Sequence, residues 1–421
     1  MRTRRFEWGG AAETAAAIRA WAAESAVPVD VMPIQREVIE RGDEAVLAMT
    51  ARFDATERAP ESLRVDPALA TAALGELDPG LRAALDVTAA NVRAVAAAQM
   101  GEPSRVVELP QGQKVTVRWV PVGSAGIYAP GGRAAYPSSV LMCAIPAQVA
   151  GLERIALASP PGPGGELHPL VLAAAAFCGV EEIYAMGGAQ AIFALAHGTE
   201  SVAPVDVIAG PGNTWVREAK RSVYGTVGID SLAGPSELMV IAGHDTDPEW
   251  AALDLCAQAE HGADSPLVLV AVEDHVLAAV TAATEEAAAS RPGVADAAFA
   301  LLTVPDLSDA ADLANAFAPE HLELLEEDAA QLAERITAAG CVFAGRYGAT
   351  AFGDYVAGSN HVLPTGGTGR FEGPLGPAAF RRPIATVEIP AAAAAELAPH
   401  VDALARAEGF PVHGESAMIR R

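Results

Sequence analysis

Three short segments and one isolated histidine carry side chains able to do metal and proton chemistry. The run Asp354-Tyr-Val-Ala-Gly-Ser-Asn-His361 places a carboxylate and an imidazole in loop-like, glycine-rich sequence, and His413 follows fifty-two residues later. Upstream, Gln258-Ala-Glu-His261 sets an amide and an imidazole three apart, and Pro319-Glu320-His321 sets a carboxylate beside an imidazole. Gln258 and His261 fall in a run with helical periodicity, where residues three apart share a face at ~5–6 Å between Cβ atoms. Two donors so placed can grip one cation. His261 also stands before Gly262, where a histidine commonly closes a helix. Gln258, His261, Asp354 and His413 together make a mixed nitrogen and oxygen set, which suits zinc or manganese better than thiolate-seeking ions. Glu320 and His321 can serve two proton transfers, the imidazole near neutral pH and the carboxylate on water. Pro319 predicts extended geometry for Ala318. Taken singly, each group reads as well as a solvated helix end, a loop or a surface histidine. Taken together, they argue for an enzyme with a transition-metal centre.

The elements that must position these groups follow from periodicity. Residues 11–25, 31–53 and 78–100 carry apolar side chains at helical spacing, the last opened by Asp78-Pro79-Gly80. Residues 114–120 alternate as a half-exposed strand. From Gly123, strand-like runs at 154–159, 182–186, 205–208, 228–231, 238–242 and 267–272 alternate with helical sequence, which predicts parallel sheets with crossover helices. A helix over 328–339, a strand over 341–345, a glycine-rich stretch to Gly376 and a strand over 385–389 follow. Closing helical sequence over 391–408 is expected to break near Pro399. Glycine-rich turns at 123–126, 131–132, 187–188 and 210–213 mostly sit between a strand and a helix, where backbone N–H groups face an anionic ligand. None contains G-x-G-x-x-G, so the standard dinucleotide fingerprint is absent.

With 421 residues, ~150 per domain suggests two or three domains. Apolar residues at 51% and charged residues at 19% exclude a disordered chain. A formal net charge of −25 repels nucleic acid and anionic lipid. Cys143, Cys178, Cys256 and Cys341 lie far apart in apolar runs and read as free buried thiols of a reducing compartment. No secretory leader and no apolar run of bilayer length are visible, so the expected location is cytoplasmic.

The longer motifs resemble histidinol dehydrogenase. They are Gly126-Ile-Tyr-Ala-Pro-Gly-Gly-Arg-Ala-Ala-Tyr-Pro-Ser-Ser-Val-Leu-Met142, Gly187-Gly-Ala-Gln190, Gly210-Pro-Gly-Asn213, Gly228-Ile-Asp230 and Ala233-Gly-Pro-Ser-Glu237. Gln258-Ala-Glu-His261, Pro319-Glu-His-Leu-Glu323 and Gly353-Asp-Tyr-Val-Ala-Gly-Ser-Asn-His-Val-Leu-Pro-Thr365 complete the set, in order along the chain. The resemblance implies an α/β fold of two incomplete Rossmann-like domains with small helical N-terminal and C-terminal extensions. The expected boundaries are 1–28 for the N-terminal extension, 29–124 with 236–378 for the first Rossmann-like domain, 125–235 for the second, and 379–421 for the C-terminal extension. It implies oxidation of L-histidinol to L-histidine through a bound aldehyde, with two NAD reduced, one zinc per subunit and a homodimer. By position, Gln258, His261, Asp354 and His413 would bind zinc, and Glu320 and His321 would be the acid/base pair. Ser236, His361 and Glu408 would contact substrate alongside His321 and the metal ligands, and Tyr128, Gln190 and Asn213 would contact NAD. The tail with Glu408 and His413 would reach the partner subunit's site. The segment from Gly373 to Arg382 departs from the family pattern and is assigned no function. A same-family dehydrogenase of another small alcohol, a zinc hydrolase using Glu320, and a zinc-stabilised scaffold are the competing readings.

Overall fold

The computed structural model describes residues 1–421 except 26, 55–59, 132–133, 264 and 295. Gly132 and Arg133 of the first long motif thus lie outside the described residues. Two compact units form: Met1–Gln99 with Gly123–Ala379, and Met100–Val122 with Phe380–Arg421.

The larger unit is built on two parallel sheets. One has six strands in the order Arg2–Phe6, Ala298–Thr303, Pro266–Ala271, Leu238–Ala242, His321–Leu325, Cys341–Ala344. The other has five, Glu182–Ala185, Arg154–Ser159, Ser124–Tyr128, Val207–Ala209, Gly228–Ile229. Helices cover the faces, so central strands such as Leu238–Ala242 are apolar throughout and wholly buried. Successive side chains of the six-stranded sheet enter different cores: Met239, Ile241, Val268 and Val270 pack on one face, and Leu238, Val240, Leu267 and Leu269 on the other. The α/β class with parallel sheets is therefore the observed one. All four cysteines are free, and Cys143, Cys178 and Cys256 are buried. Among the described residues no helix is long and apolar enough to cross a membrane.

Several local expectations need correction. The N-terminal extension is not purely helical, because Arg2–Phe6 forms an edge strand beside Ala298–Thr303. Its three arginines hide the strand signal, yet charge suits an exposed edge. Helix Ala391–Ala407 runs through Pro399 without breaking; one lost N–H does not end a helix already propagating on both sides. Helix Ala329–Glu334 is shorter than the periodicity over 328–339 predicts. Ala318 adopts φ 49°, ψ 66°, in the left-handed region, although it precedes proline. Its N–H closes helix Leu307–Phe317 on Ala314 O at 2.7 Å, and the turn aims Glu320 into the protein.

The smaller unit joins an antiparallel sheet, Arg381–Glu388, Lys114–Pro121 and Ser104–Glu108, to helices Ala391–Ala407 and Pro411–Met418.

Candidate active site

The expected residues of the larger unit gather at the amino ends of six-stranded-sheet strands and the carboxyl ends of five-stranded-sheet strands. Ser236 precedes Leu238–Ala242, and His321 begins His321–Leu325. Gln258 is the last residue but one of helix Pro248–Ala259, and His261 lies two residues past the helix end in the turn back to the sheet. The pair therefore does not share a regular helix face. Asp354 is not in a loop either: it sits on the short helix Thr350–Tyr355. Ser236, His261, Glu320, His321, Asp354 and His361 line one cleft of about 460 Å³.

The expected acid/base pair is buried, not solvated: Glu320 is 6% exposed and His321 2%. Glu320 Oε2 accepts from Ser236 Oγ at 2.5 Å and from Glu237 N at 2.8 Å, and lies 3.4 Å from His321 Nδ1. Gln258 Nε2 donates to Ser236 Oγ at 2.6 Å, so amide, hydroxyl and carboxylate form one relay. His321 Nδ1 is 3.2 Å from Glu237 O, while Nε2 is buried without a hydrogen-bond partner, 3.5 Å from Asp354 Oδ1. Burial opposes a charge on His321, but the Glu320 and Asp354 carboxylates outweigh it and raise its pKa well above the ordinary value. Burial likewise opposes the Asp354 charge, but the adjoining His321 imidazole outweighs it and holds the pKa below the ordinary value. His361 Nδ1–H donates to Asp354 O at 2.8 Å, which leaves Nε2 to accept from Ser139 Oγ at 3.2 Å. Burial lowers its pKa below the ordinary value, which favours the neutral imidazole.

Three residues that spacing did not single out hold this arrangement. Glu323 is two residues beyond His321 and shares its face of the strand. Its Oε1 accepts Thr350 N at 2.7 Å, capping the helix that carries Asp354, whose own cap residue Ala349 offers no side-chain bond. Arg19 reaches from helix Ala11–Ala22 to grip buried Glu237 with bonds of 3.0 and 3.2 Å, beside Ser236. Gly353 lets Phe343 pack close, since a Cβ there would come 2.5 Å from the Phe343 ring, and Phe343 stacks on His321 at 6.1 Å between centroids. Glu323 and Gly353 are the end residues of two of the long motifs, whereas nothing in the sequence around Arg19 signals it.

The remaining expected residues stand apart. Tyr128 and Gln190 are buried and do not line the cleft; the Tyr128 hydroxyl accepts Gly188 N at 3.1 Å, and Gln190 Nε2 is 3.4 Å from Asp54 Oδ2. Asn213 lines the cleft and caps helix Thr214–Val223 by accepting Val216 N at 3.1 Å. Glu408 and His413 belong to the smaller unit and are exposed, with the His413 ring 5.5 Å from Phe410.

Fold and site define an α/β enzyme with a buried carboxylate–imidazole pair in a cleft between two parallel sheets. The histidinol dehydrogenase family model matches residues 18–421. Histidinol dehydrogenase of Rhodospirillum rubrum is 45% identical over 416 residues, covering 96% of this chain and 95% of the relative. That of Cereibacter sphaeroides is 45% identical over 396 residues, covering 93% and 91%. The crystal structure of histidinol dehydrogenase from Elizabethkingia anophelis superposes with TM-score 0.90 at 30% identity, covering 100% of this chain and 98% of that one. The chain belongs to the histidinol dehydrogenase family.

Proposed function

We propose that this protein oxidises L-histidinol to L-histidine through a retained L-histidinaldehyde, reducing two NAD per turnover. Family membership supports the reaction, and one observation carries the chemistry: His321 presents a buried, unpartnered Nε2 in the cleft, with Glu320 beside it. Overall, the primary alcohol, water and two NAD⁺ give the carboxylate, two NADH and three protons. His321 accepts the hydroxyl proton at Nε2 as the first hydride leaves carbon. Its raised pKa depends on two carboxylates, so a cationic partner engaging Asp354 removes one of them and frees the base form. Glu320 then takes a proton from the water that attacks the aldehyde carbon, and the hydrate loses the second hydride. Ser236 and Gln258 orient Glu320 for that step, and His361, neutral and fixed at both nitrogens, offers a contact to the substrate.

Gln258, His261, Asp354 and His413 would hold a zinc ion, which when bound supplies Lewis acidity and a template for the amino alcohol. The residues present fit it: His261 and Asp354 line the cleft, Gln258 joins it through Ser236, and Asp354 is ionised. NAD is the hydride acceptor, and Tyr128, Gln190 and Asn213 are its proposed contacts. His413 and Glu408, exposed on the smaller unit, are proposed to complete the partner's site in a cytoplasmic homodimer.

A stoichiometric count tests the reading. Two NADH per histidinol are expected, abolished by chelation and restored by zinc. His321→Asn is expected to lower turnover at least ~10²-fold, the range of lost acid/base catalysis, while zinc stays bound. A ratio of one, or wild-type turnover in the variant, would sink it.

A further inference from the structure

A second group of metal-competent side chains lies at the opposite end of the six-stranded sheet. His244 follows strand Leu238–Ala242, and Glu273 and His275 flank the first residue of helix Asp274–Ala289, which follows strand Pro266–Ala271. These are the carboxyl ends of two adjacent strands, the end where open α/β sheets commonly bind ligands. The catalytic cleft uses the amino ends of the same sheet.

The three side chains converge on one point. Glu273 Oε2 lies 3.4 Å from His244 Nδ1 and 3.1 Å from His275 Nδ1, and the ligand atoms of the three residues all lie within 4.8 Å of one another. Two ligands on a tetrahedral zinc with bonds of about 2.0–2.1 Å stand about 3.3–3.4 Å apart. The His244–Glu273 edge, at 3.4 Å, therefore already has the length that such an ion imposes, and the His275–Glu273 edge, at 3.1 Å, is only slightly shorter. The two rings cross edge-on, 6.0 Å apart at 73°. All three residues are exposed, so core packing does not force them together. Their backbones are nevertheless fixed. Around His244, Gly243 N and Thr246 Oγ1 both donate to Leu325 O, at 3.0 and 2.6 Å. Glu273 is the helix cap residue, and its carbonyl accepts Leu277 N at 3.1 Å. The neighbouring Asp274 is turned away to Arg5, 2.5 Å distant. Only side-chain rotamers remain to be ordered when an ion arrives.

We propose that His244, Glu273 and His275 form a second divalent transition-metal site, with two imidazoles and one carboxylate as ligands and the fourth position open to solvent. The ion ties the turn after one strand to the helix start after the next. Calorimetric titration of full-length protein with zinc alone tests this, using wild type, His244→Ala/His275→Ala and His261→Ala. Wild type is expected to take up one zinc more than the double variant, and His261→Ala to keep that extra ion. The measurement is a difference between proteins, so it does not depend on whether the cleft itself holds zinc. Zinc is also expected to raise the Tm of His261→Ala by an increment missing from the double variant, which retains wild-type histidinol turnover. Equal zinc uptake by wild type and double variant overturns the proposal. So does loss of turnover in a folded double variant, because the site would then not be separate from the cleft.

Discussion

Replacing Glu323 with glutamine should flatten the pH dependence of stability and stabilise the protein at alkaline pH. The side chain is fully buried, one oxygen is bonded to Thr350 N and the other has no partner. Burial, and then the nearby Asp254 carboxylate, push its pKa from the ordinary 4.5 to about 8, while burial pushes Asp254 up to about 6. The folded chain therefore keeps a proton that the unfolded chain releases above pH 4.5. A raised pKa contributes stability that is fully present below the unfolded value and is lost as pH climbs through the folded one. The gap from 4.5 to about 8, at ~1.4 kcal/mol for each tenfold in proton concentration, sets a ceiling near ~5 kcal/mol. Structural relaxation and sharing of the strain with Asp254 bring the expected loss to about 2–3 kcal/mol. Glutamine still accepts the Thr350 N–H and carries no charge at any pH. Urea midpoints of both proteins from pH 5 to pH 9 are the assay. Wild type should lose stability across that range relative to Glu323→Gln, with the difference saturating above pH 8. Parallel curves would refute the assignment of a protonated, buried Glu323.

Other substitutions probe the supports of the site. Arg19→Ala leaves the Glu237 carboxylate buried with Gly366 N as its remaining local donor, at 3.0 Å; a loss of about 3–5 kcal/mol in urea unfolding is expected for a broken buried pair. Ser236→Ala removes the 2.5 Å bond to Glu320 and strands Gln258 Nε2. A hydrogen bond to a charged group is worth about 1.5–3 kcal/mol, so kcat is expected to fall ~10- to 100-fold, read from NADH formation. Gly210→Ala puts a Cβ 2.1 Å from Tyr128 O at a φ of +124°, so the backbone must shift and a Tm drop reflecting more than ~2 kcal/mol should follow.

Much of the frame was legible because its signals are local. Alternating apolar runs announced parallel strands such as Arg154–Ser159 and Leu238–Ala242 with their bounds intact. Asp78 caps helix Pro79–Ala98 by accepting Gly80 N and Leu81 N, as its turn chemistry predicted. Strands Arg2–Phe6 and Ser104–Glu108 escaped notice because exposed residues dominate them, so no buried face imprinted a pattern. Strand His321–Leu325 escaped for the opposite reason: its polar positions, His321 and Glu323, are buried.

What the sequence alone determined is the chemistry on offer: an acid beside an imidazole, mixed nitrogen and oxygen donors, and motifs long enough to show their family. The tertiary structure decided which groups meet. Gln258, Ser236 and Glu320 become one relay, Asp354 rides a helix capped by Glu323, and His321 Nε2 is left without a bond inside the protein. These contacts join residues separated by 22, 84 and 27 positions. Helical and strand periods constrain near neighbours, whereas pairing at such separations is set by how sheets and helices pack. Burial and the neighbouring charges together then set the charge of each group, which residue type alone leaves open.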